Sequence, residues 1–256
     1  MTYTLIGTGN MAYFLATRLQ QAGWLCKGVW GRTQTEAEKL ARQINTRALA
    51  SLNDISDEQD VCLIAVADHA IEEISAQLIL QNTTVIHTAG AVALSAIKQE
   101  NKAVLWPVYS ILKNNLPQEK NIPLIGEASN PFAEEKLRKI AQVISTHLTI
   151  ATHAQRQWMH LIAAFTNNFP NHLIAISEIL CREQQIDPKI FHPILQQTFD
   201  RLQTGNAYSL QTGAARRKDE TTLQKHVSLL AAYPLWQELY KMLSASIKDL
   251  YSDKDK

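Results

Sequence analysis

Two spacings of apolar residues divide the chain. Up to about residue 150, short apolar runs alternate with stretches in which apolar residues recur at helical spacing. Beyond about residue 152 the short runs stop and helical spacing continues to the end. The runs predict strands within YTLI (3–6), LCKGVW (25–30), VCLIAV (61–66), TTVIHTAG (83–90), AVLWPVYS (103–110), IPLIG (122–126) and HLTIA (147–151). Between the first two, Met11, Leu15, Leu19 and Ala22 share one helical face and Gly23 marks the stop. Thr33 and Glu36 have the spacing of a capping box. Asn130-Pro131 opens a further helix that carries Phe132, Leu137, Ile140 and Val143. The pattern predicts an α/β fold: a Rossmann-like doubly wound parallel sheet over residues 1–152, then an all-helical C-terminal domain over residues 153–256. Its helices are expected at 153–181, 188–203, 220–232 and 235–251, with the SDKDK end (252–256) frayed. Pro170 cannot donate to the carbonyl of Thr166, so the first long helix should bend or break there. No flexible linker separates the halves, and the cleft between them is the expected place for a site.

Composition narrows the class of protein. With 256 residues, 46% of them hydrophobic, the chain can build a substantial core. A formal net charge of +1 supplies no general drive toward nucleic acid or an anionic membrane. Cys26, Cys62 and Cys181 are far apart and form no C-x-x-C pair, which suits a cytoplasmic protein without disulfides or a metal site. The first strand begins within three residues of Met1, so no signal peptide is expected. The most apolar stretch, 158–180, holds His160, Asn167, Asn168, Pro170, Asn171 and His172, too many polar groups for a membrane span.

The motif with the clearest chemistry is at the amino terminus. Gly7, Gly9 and Ala12 stand at G-x-G-x-x-A spacing between a strand and a helix. Gly7 permits the tight turn, Gly9 lets a phosphate approach the backbone, and Ala12 lets helix and strand pack closely. Asn10 and Met11 begin the helix whose amide groups would face a pyrophosphate. At the end of the second strand, where a site for NAD usually has an acid, the chain has Gly31, Arg32 and Thr33. Arg32 and Thr33 can bond the extra phosphate of NADP; the alternatives are that Arg32 stacks on adenine and Thr33 only caps the next helix.

Other candidates sit at strand ends and in the helical half. Asp68 and His87 end the third and fourth strands on the carboxyl edge, where ligands of such sheets bind. Asp68 either contacts the cofactor or caps the next helix. His87 is either a proton donor or a packed histidine bonded to backbone. His160, Ala164, Asn167 and Asn171 form a stripe on the long helix, with Asn168 beside it, facing either a ligand or another helix. In the segment 210–226, Thr212-Gly213 makes a turn, Arg216, Arg217 and Lys218 form a basic cluster, Asp219 can cap a helix, and His226 follows seven residues on. That arrangement reads as a site for a carboxylate or phosphate, or as a solvated charged turn.

These sets together resemble bacterial proteins that join a Rossmann-like NADP-binding domain to a helical domain of unknown function, over essentially the whole chain. The matching positions are His160, Ala163, Ala164 and Asn168, then Thr212, Gly213, Arg217, Asp219, Thr222 and His226. The chain departs from that pattern at Gln211, Ala214 and Lys218, and Ala89 replaces a serine in the stretch from His87 to Gly90. More distantly, GTGNMA and GRT resemble pyrroline-carboxylate reductases and deazaflavin-linked NADP reductases, and the two-domain plan resembles beta-hydroxyacid dehydrogenases. Ala164 stands where the last group has its catalytic Lys. The resemblance implies an NADP-dependent oxidoreductase acting on a small anionic keto, hydroxy or imino acid, as a homodimer. In it His160 or His87 exchanges a proton, Asn168 orients the substrate, and Arg217, with Asp219 and His226 nearby, holds its negative group. The missing Lys keeps open a non-catalytic NADP-binding sensor or scaffold.

Overall fold

The computed structural model describes residues 1–252; residues 253–256, most of the end expected to fray, lie outside the described residues. The chain divides into two compact units, Met1–Leu173 and Ile174–Lys256.

The first unit is built on a seven-stranded sheet. In chain order its elements are β1 (Thr2–Ile6), α1 (Asn10–Gln21), β2 (Leu25–Trp30), α2 (Gln34–Gln43), β3 (Val61–Ile64), α3 (Ile71–Gln77), β4 (Thr84–His87), β5 (Lys102–Pro107), β6 (Leu124–Ala128), α4 (Pro131–Ile144), β7 (Leu148–Ile150) and α5 (His153–Ala163). The strand order is β2-β1-β3-β4-β5-β6-β7. The first five strands run parallel, as the alternation of strand and helix predicts. β6 is antiparallel to β5, a local reversal in a sheet that is otherwise parallel as expected. No helix intervenes between these two strands, so the chain returns along its neighbour, where a parallel pairing would need a crossover.

Burial on both faces explains why β3 reads as a continuous apolar run. Leu5, Leu63 and Ile86 pack with α1, α2 and α4 on one side. Ile6, Ile64 and Val85 pack with Ile71, Ile74 and Leu78 on the other. Register puts the ends of four strands level: Ile6 is opposite both Trp30 and Ile64, and Ile64 is opposite His87. Everything that follows these strands therefore meets along one edge.

The last strand ends at Ile150, and the first compact unit runs on through α5 to Leu173. Thr152 opens α5 with a capping box to Gln155. The helix does change at the proline: residues Ala164–Asn168 form one wide π turn, and α6 (Phe169–Glu183) resumes after it. The amide of Phe169 bonds the carbonyl of Ala164, five residues back, so the helix meets Pro170 by inserting a residue.

The second unit holds the rest of α6, a tight turn at Pro188–Phe191, α7 (His192–Thr204), α8 (Ala207–Leu210), α9 (Glu220–Leu229) and α10 (Pro234–Leu250). α8 is a single turn, too short to leave a periodic signal, and Asn206 caps it. Many large apolar side chains here are exposed, among them Leu229, Leu235 and Met242.

Candidate functional site

The loop after β1 is shaped for a phosphate. Gly7 has φ +123°, and a Cβ there would lie 2.1 Å from the carbonyl oxygen of Ala65, so only glycine fits. Its amide bonds the carbonyl of Trp30 at 2.8 Å, which fixes the loop to the end of β2. Gly9, by contrast, has nothing within 4 Å of its Cβ position. Gly9 is also the cap of α1, with no side-chain bond to the helix amides and no acid in the first turn. Those amides are the orphan donors a pyrophosphate accepts from. The side chain of Met11 packs toward the core, leaving its amide to the site. The side chain of Asn10 accepts a bond from the amide of Lys113 at 3.1 Å, so its carboxamide is already engaged.

At the end of β2, Arg32 and Thr33 are exposed. Thr33 caps α2 by position, but its side chain makes no capping bond, so the expected capping box is not formed. Glu36 turns instead to Lys39 at 2.5 Å and Lys113 at 3.8 Å. Arg32 has no ion pair among the described residues. An uncommitted guanidinium and an uncommitted hydroxyl thus stand one strand away from the glycine loop, and these residues fit NADP. Asp68 is exposed beyond β3 and makes no cap to α3, which corrects that reading of it.

A second cluster lies at the end of β4. His87 is fully buried, and its Nδ1 accepts a bond from the amide of Ala89 at 3.2 Å. Its Nε2 is buried with no hydrogen-bond partner among the described residues. Burial pushes His87 down to about 4, the Arg156 guanidinium adds to that, and the backbone of Ala93 opposes it. At neutral pH the ring is uncharged. Gly90 lies flat on Trp106, where a Cβ would come within 2.5 Å of the ring. The other side of this arrangement comes from α5: the ring of His160 is 5.6 Å from that of Trp106. One turn earlier, Arg156 has no exposed surface. It donates to Gly90 O at 2.7 Å, Val92 O at 2.8 Å and the Glu127 carboxylate at 2.6 Å. His87, Trp106 and His160 are therefore assembled in one unit, joined by a buried guanidinium. His160 and Asn168 are exposed, and Asn167 donates to Asn168 at 3.4 Å.

In the second unit, Gly213 takes φ +100° at the predicted turn. Asp219 caps α9, accepting from the amide of Thr222 at 3.0 Å and its hydroxyl at 2.7 Å. Those bonds, the hydroxyl's first, hold its carboxyl below the usual carboxylate range. Arg216 stacks on Tyr251, while Arg217 is exposed and has no ion pair among the described residues. His226 bonds the hydroxyl of Tyr240 at 2.7 Å. The structure thus gives Asp219 and His226 intramolecular partners and leaves Arg217 uncommitted.

Three residues of the first unit escaped the sequence reading: Arg156, Trp106 and Lys113. Arg156 extends the stripe of His160 and Ala164 back by one turn, a spacing that shows its helical face but not its burial.

Residues 2–90 match the family model described as NADP oxidoreductase, coenzyme F420-dependent. Residues 122–247 match DUF2520, a domain of unknown function. The chain therefore pairs a region similar to NADP oxidoreductases with a region similar to the DUF2520 domain. That is the pairing its motifs resemble, and NADP is the cofactor of the oxidoreductases that the first region matches. Among solved structures, BF3122 of Bacteroides fragilis, a proposed NADP oxidoreductase, is 28% identical with a TM-score of 0.89, covering 97% of this chain and 98% of that one. Protein TM1727 of Thermotoga maritima is 19% identical with a TM-score of 0.72, covering 99% and 100%. An imine reductase of Myxococcus stipitatus in complex with NADP+ is 16% identical with a TM-score of 0.67, covering 99% and 95%. The last two share the fold. The human glucose-fructose oxidoreductase domain-containing protein 2 is 24% identical over 115 residues, 44% of this chain, and the match spans 30% of that protein. No helix of the described residues is long and apolar enough to cross a membrane, and no group of three or more His, Cys, Asp or Glu among them could hold a metal ion.

Proposed function

We propose that the protein is an NADPH-dependent reductase of a small anionic imino or keto acid. The observation that carries this reading is the level edge of the sheet. It puts the open glycine loop, the uncommitted Arg32 and Thr33, and the cluster of His87, Trp106 and His160 in one unit. When bound, NADPH supplies a hydride. Gly7 turns the loop, the open backbone at Gly9 and the amides of Asn10 and Met11 hold its pyrophosphate, Arg32 and Thr33 hold the phosphate on the adenosine ribose, and Asp68 lines the same edge. His160 is the group that exchanges a proton with the substrate, because it is exposed beside Trp106. His87 is uncharged and buried, and it shapes the floor of the site rather than protonating. Asn168, set by the π turn, orients the substrate, since such turns recur at functional sites.

Ala164 favours the imine within this class. A carbonyl oxygen is weakly basic and needs a strong proton donor as it is reduced, whereas an imine nitrogen is far more basic and takes its proton readily from His160, so the site needs no ammonium there. Arg217 is the assigned partner of the substrate's negative group, with Asp219 and His226 fixing α9 beside it in sequence. We also assign a homodimer. Trp158, Phe165 and Phe169 of the first unit and Leu229, Leu235 and Met242 of the second are all at least half exposed, more apolar surface than a monomer usually shows. Three buried thiols with no disulfide suit the cytoplasm. The test is loss of NADPH absorbance across a panel of cyclic imino acids and keto acids. Turnover that falls at least a hundredfold in His160→Ala, with NADPH affinity kept, supports the reading. Tight NADPH binding with no oxidation by any member of the panel replaces it with a sensor.

A further inference from the structure

Residues 108–123, between β5 and β6, are pinned over α1. Ile111 is buried in the core that α1 faces. Arg18 of α1 donates to the carbonyls of Pro117 at 2.8 Å and Glu119 at 2.7 Å. Asn10, the first residue of α1, accepts from the amide of Lys113 at 3.1 Å. This backbone bond points Lys113 along α1 toward α2. Its Nζ lies 5.5 Å from the centre of the Tyr13 ring and 3.8 Å from the carboxylate of Glu36.

That position matters because Glu36 is out of place. It stands three residues after Thr33, on the first turn of α2, where an acid would repel the extra phosphate of NADP. Two ammonium groups answer it. Lys39, on the same helix, is bound closely at 2.5 Å. Lys113 comes from a distant loop, is held more loosely at 3.8 Å, and keeps 42% of its side-chain surface exposed. The closer lysine is committed to Glu36, and the looser one is free to exchange partners.

We infer that Lys113 is a specificity-determining residue for the phosphate on the adenosine ribose of NADP. It is the counter-ion of Glu36 in the free protein and joins Arg32 and Thr33 on the phosphate in the complex. The carboxamide of Asn10 acts here as a positioning group, since it fixes the loop that carries Lys113. This inference rests on the NADP-binding reading of the glycine loop and Arg32.

The experiment is calorimetric titration of the full chain with two probes that differ by one phosphate, adenosine 2′,5′-bisphosphate and adenosine 5′-monophosphate, together with NADPH and NADH. Lys113→Met keeps the apolar stem over Tyr13 and removes the charge. It is expected to weaken NADPH and the bisphosphate by about tenfold and to leave NADH and the monophosphate within about twofold. Lys113→Arg should restore most of the loss, and Glu36→Gln should tighten NADPH. The unliganded melting temperature should not move in any of the three. If Arg32→Ala loses NADPH while Lys113→Met does not, the inference fails and the cofactor reading stands. If Lys113→Met weakens both pairs of probes equally, the residue is not specificity-determining and the inference fails. If the wild-type protein does not distinguish the two probes, both fail.

Discussion

Replacing Arg156 by Met tests whether the cluster at the end of β4 is held by one guanidinium. The side chain has no exposed surface and donates to two backbone carbonyls and to Glu127 through two nitrogens, at 2.6 and 3.1 Å. Removing it leaves the carbonyls of Gly90 and Val92 without these donors and a carboxylate without its cation. Breaking a buried pair from one side costs about 3–5 kcal/mol. Glu127 keeps 24% of its side-chain surface and can be partly solvated, which favours the lower half of that range. Taking about 3–4 kcal/mol, and about 2–4 °C per kcal/mol for a domain of this size, the melting temperature should fall by roughly 6–16 °C. Differential scanning calorimetry reads this directly. Glu127→Gln keeps an acceptor for the guanidinium and should cost less than half as much. A fall of less than about 2 °C in Arg156→Met would show that the loop from His87 to Val92 is held by other contacts, chiefly Gly90 on Trp106.

Two further outcomes follow from single residues. His87 is pushed down to about 4 from an ordinary 6.5. The unfolded chain therefore binds more protons between those values, and the contribution of His87 is complete above pH 6.5 and lost as pH falls toward 4. The shift corresponds to about 3 kcal/mol at most, so His87→Asn should flatten urea-unfolding stability over that window; an unchanged slope would mean that other groups cause it. Lys218 has φ +58°, at the position where the resembled family has glycine. Lys218→Gly should raise stability by about 0.5–1 kcal/mol, and a loss would show that the lysine stem packs usefully in the turn.

Much of this was legible in the chain. β2 matches its apolar run residue for residue, and β3 was plain because burial on both faces forces continuous apolar sequence. The break near Pro170 followed from its missing amide, although the pattern could not say that the helix would answer with a π turn. Pairing direction leaves no trace in a strand's composition, so the reversal at β6 was invisible. The tight turn of the glycine loop was readable because its geometry is local. Arg156 was not, because it lies between Gln155 and Gln157 and looks like a surface residue until Gly90, Val92 and Glu127 are brought to it. Lys113 was hidden for the same reason: Glu36 reaches it only through the folding of a long loop. Thr33 had a cap's spacing, but Glu36 chose lysines.

The central claim is that the glycine loop binds NADP through its open backbone, and Gly9→Ala measures it most directly. A methyl group there meets no protein atom within 4 Å, so the variant should melt with the wild-type protein, whereas Gly7→Ala, driven into Ala65, should not fold stably. Calorimetry should show NADPH bound by the wild type and weakened at least about tenfold in Gly9→Ala, because the methyl occupies the space a phosphate needs. NADPH affinity unchanged in a folded Gly9→Ala, or absent in the wild type, would contradict the account.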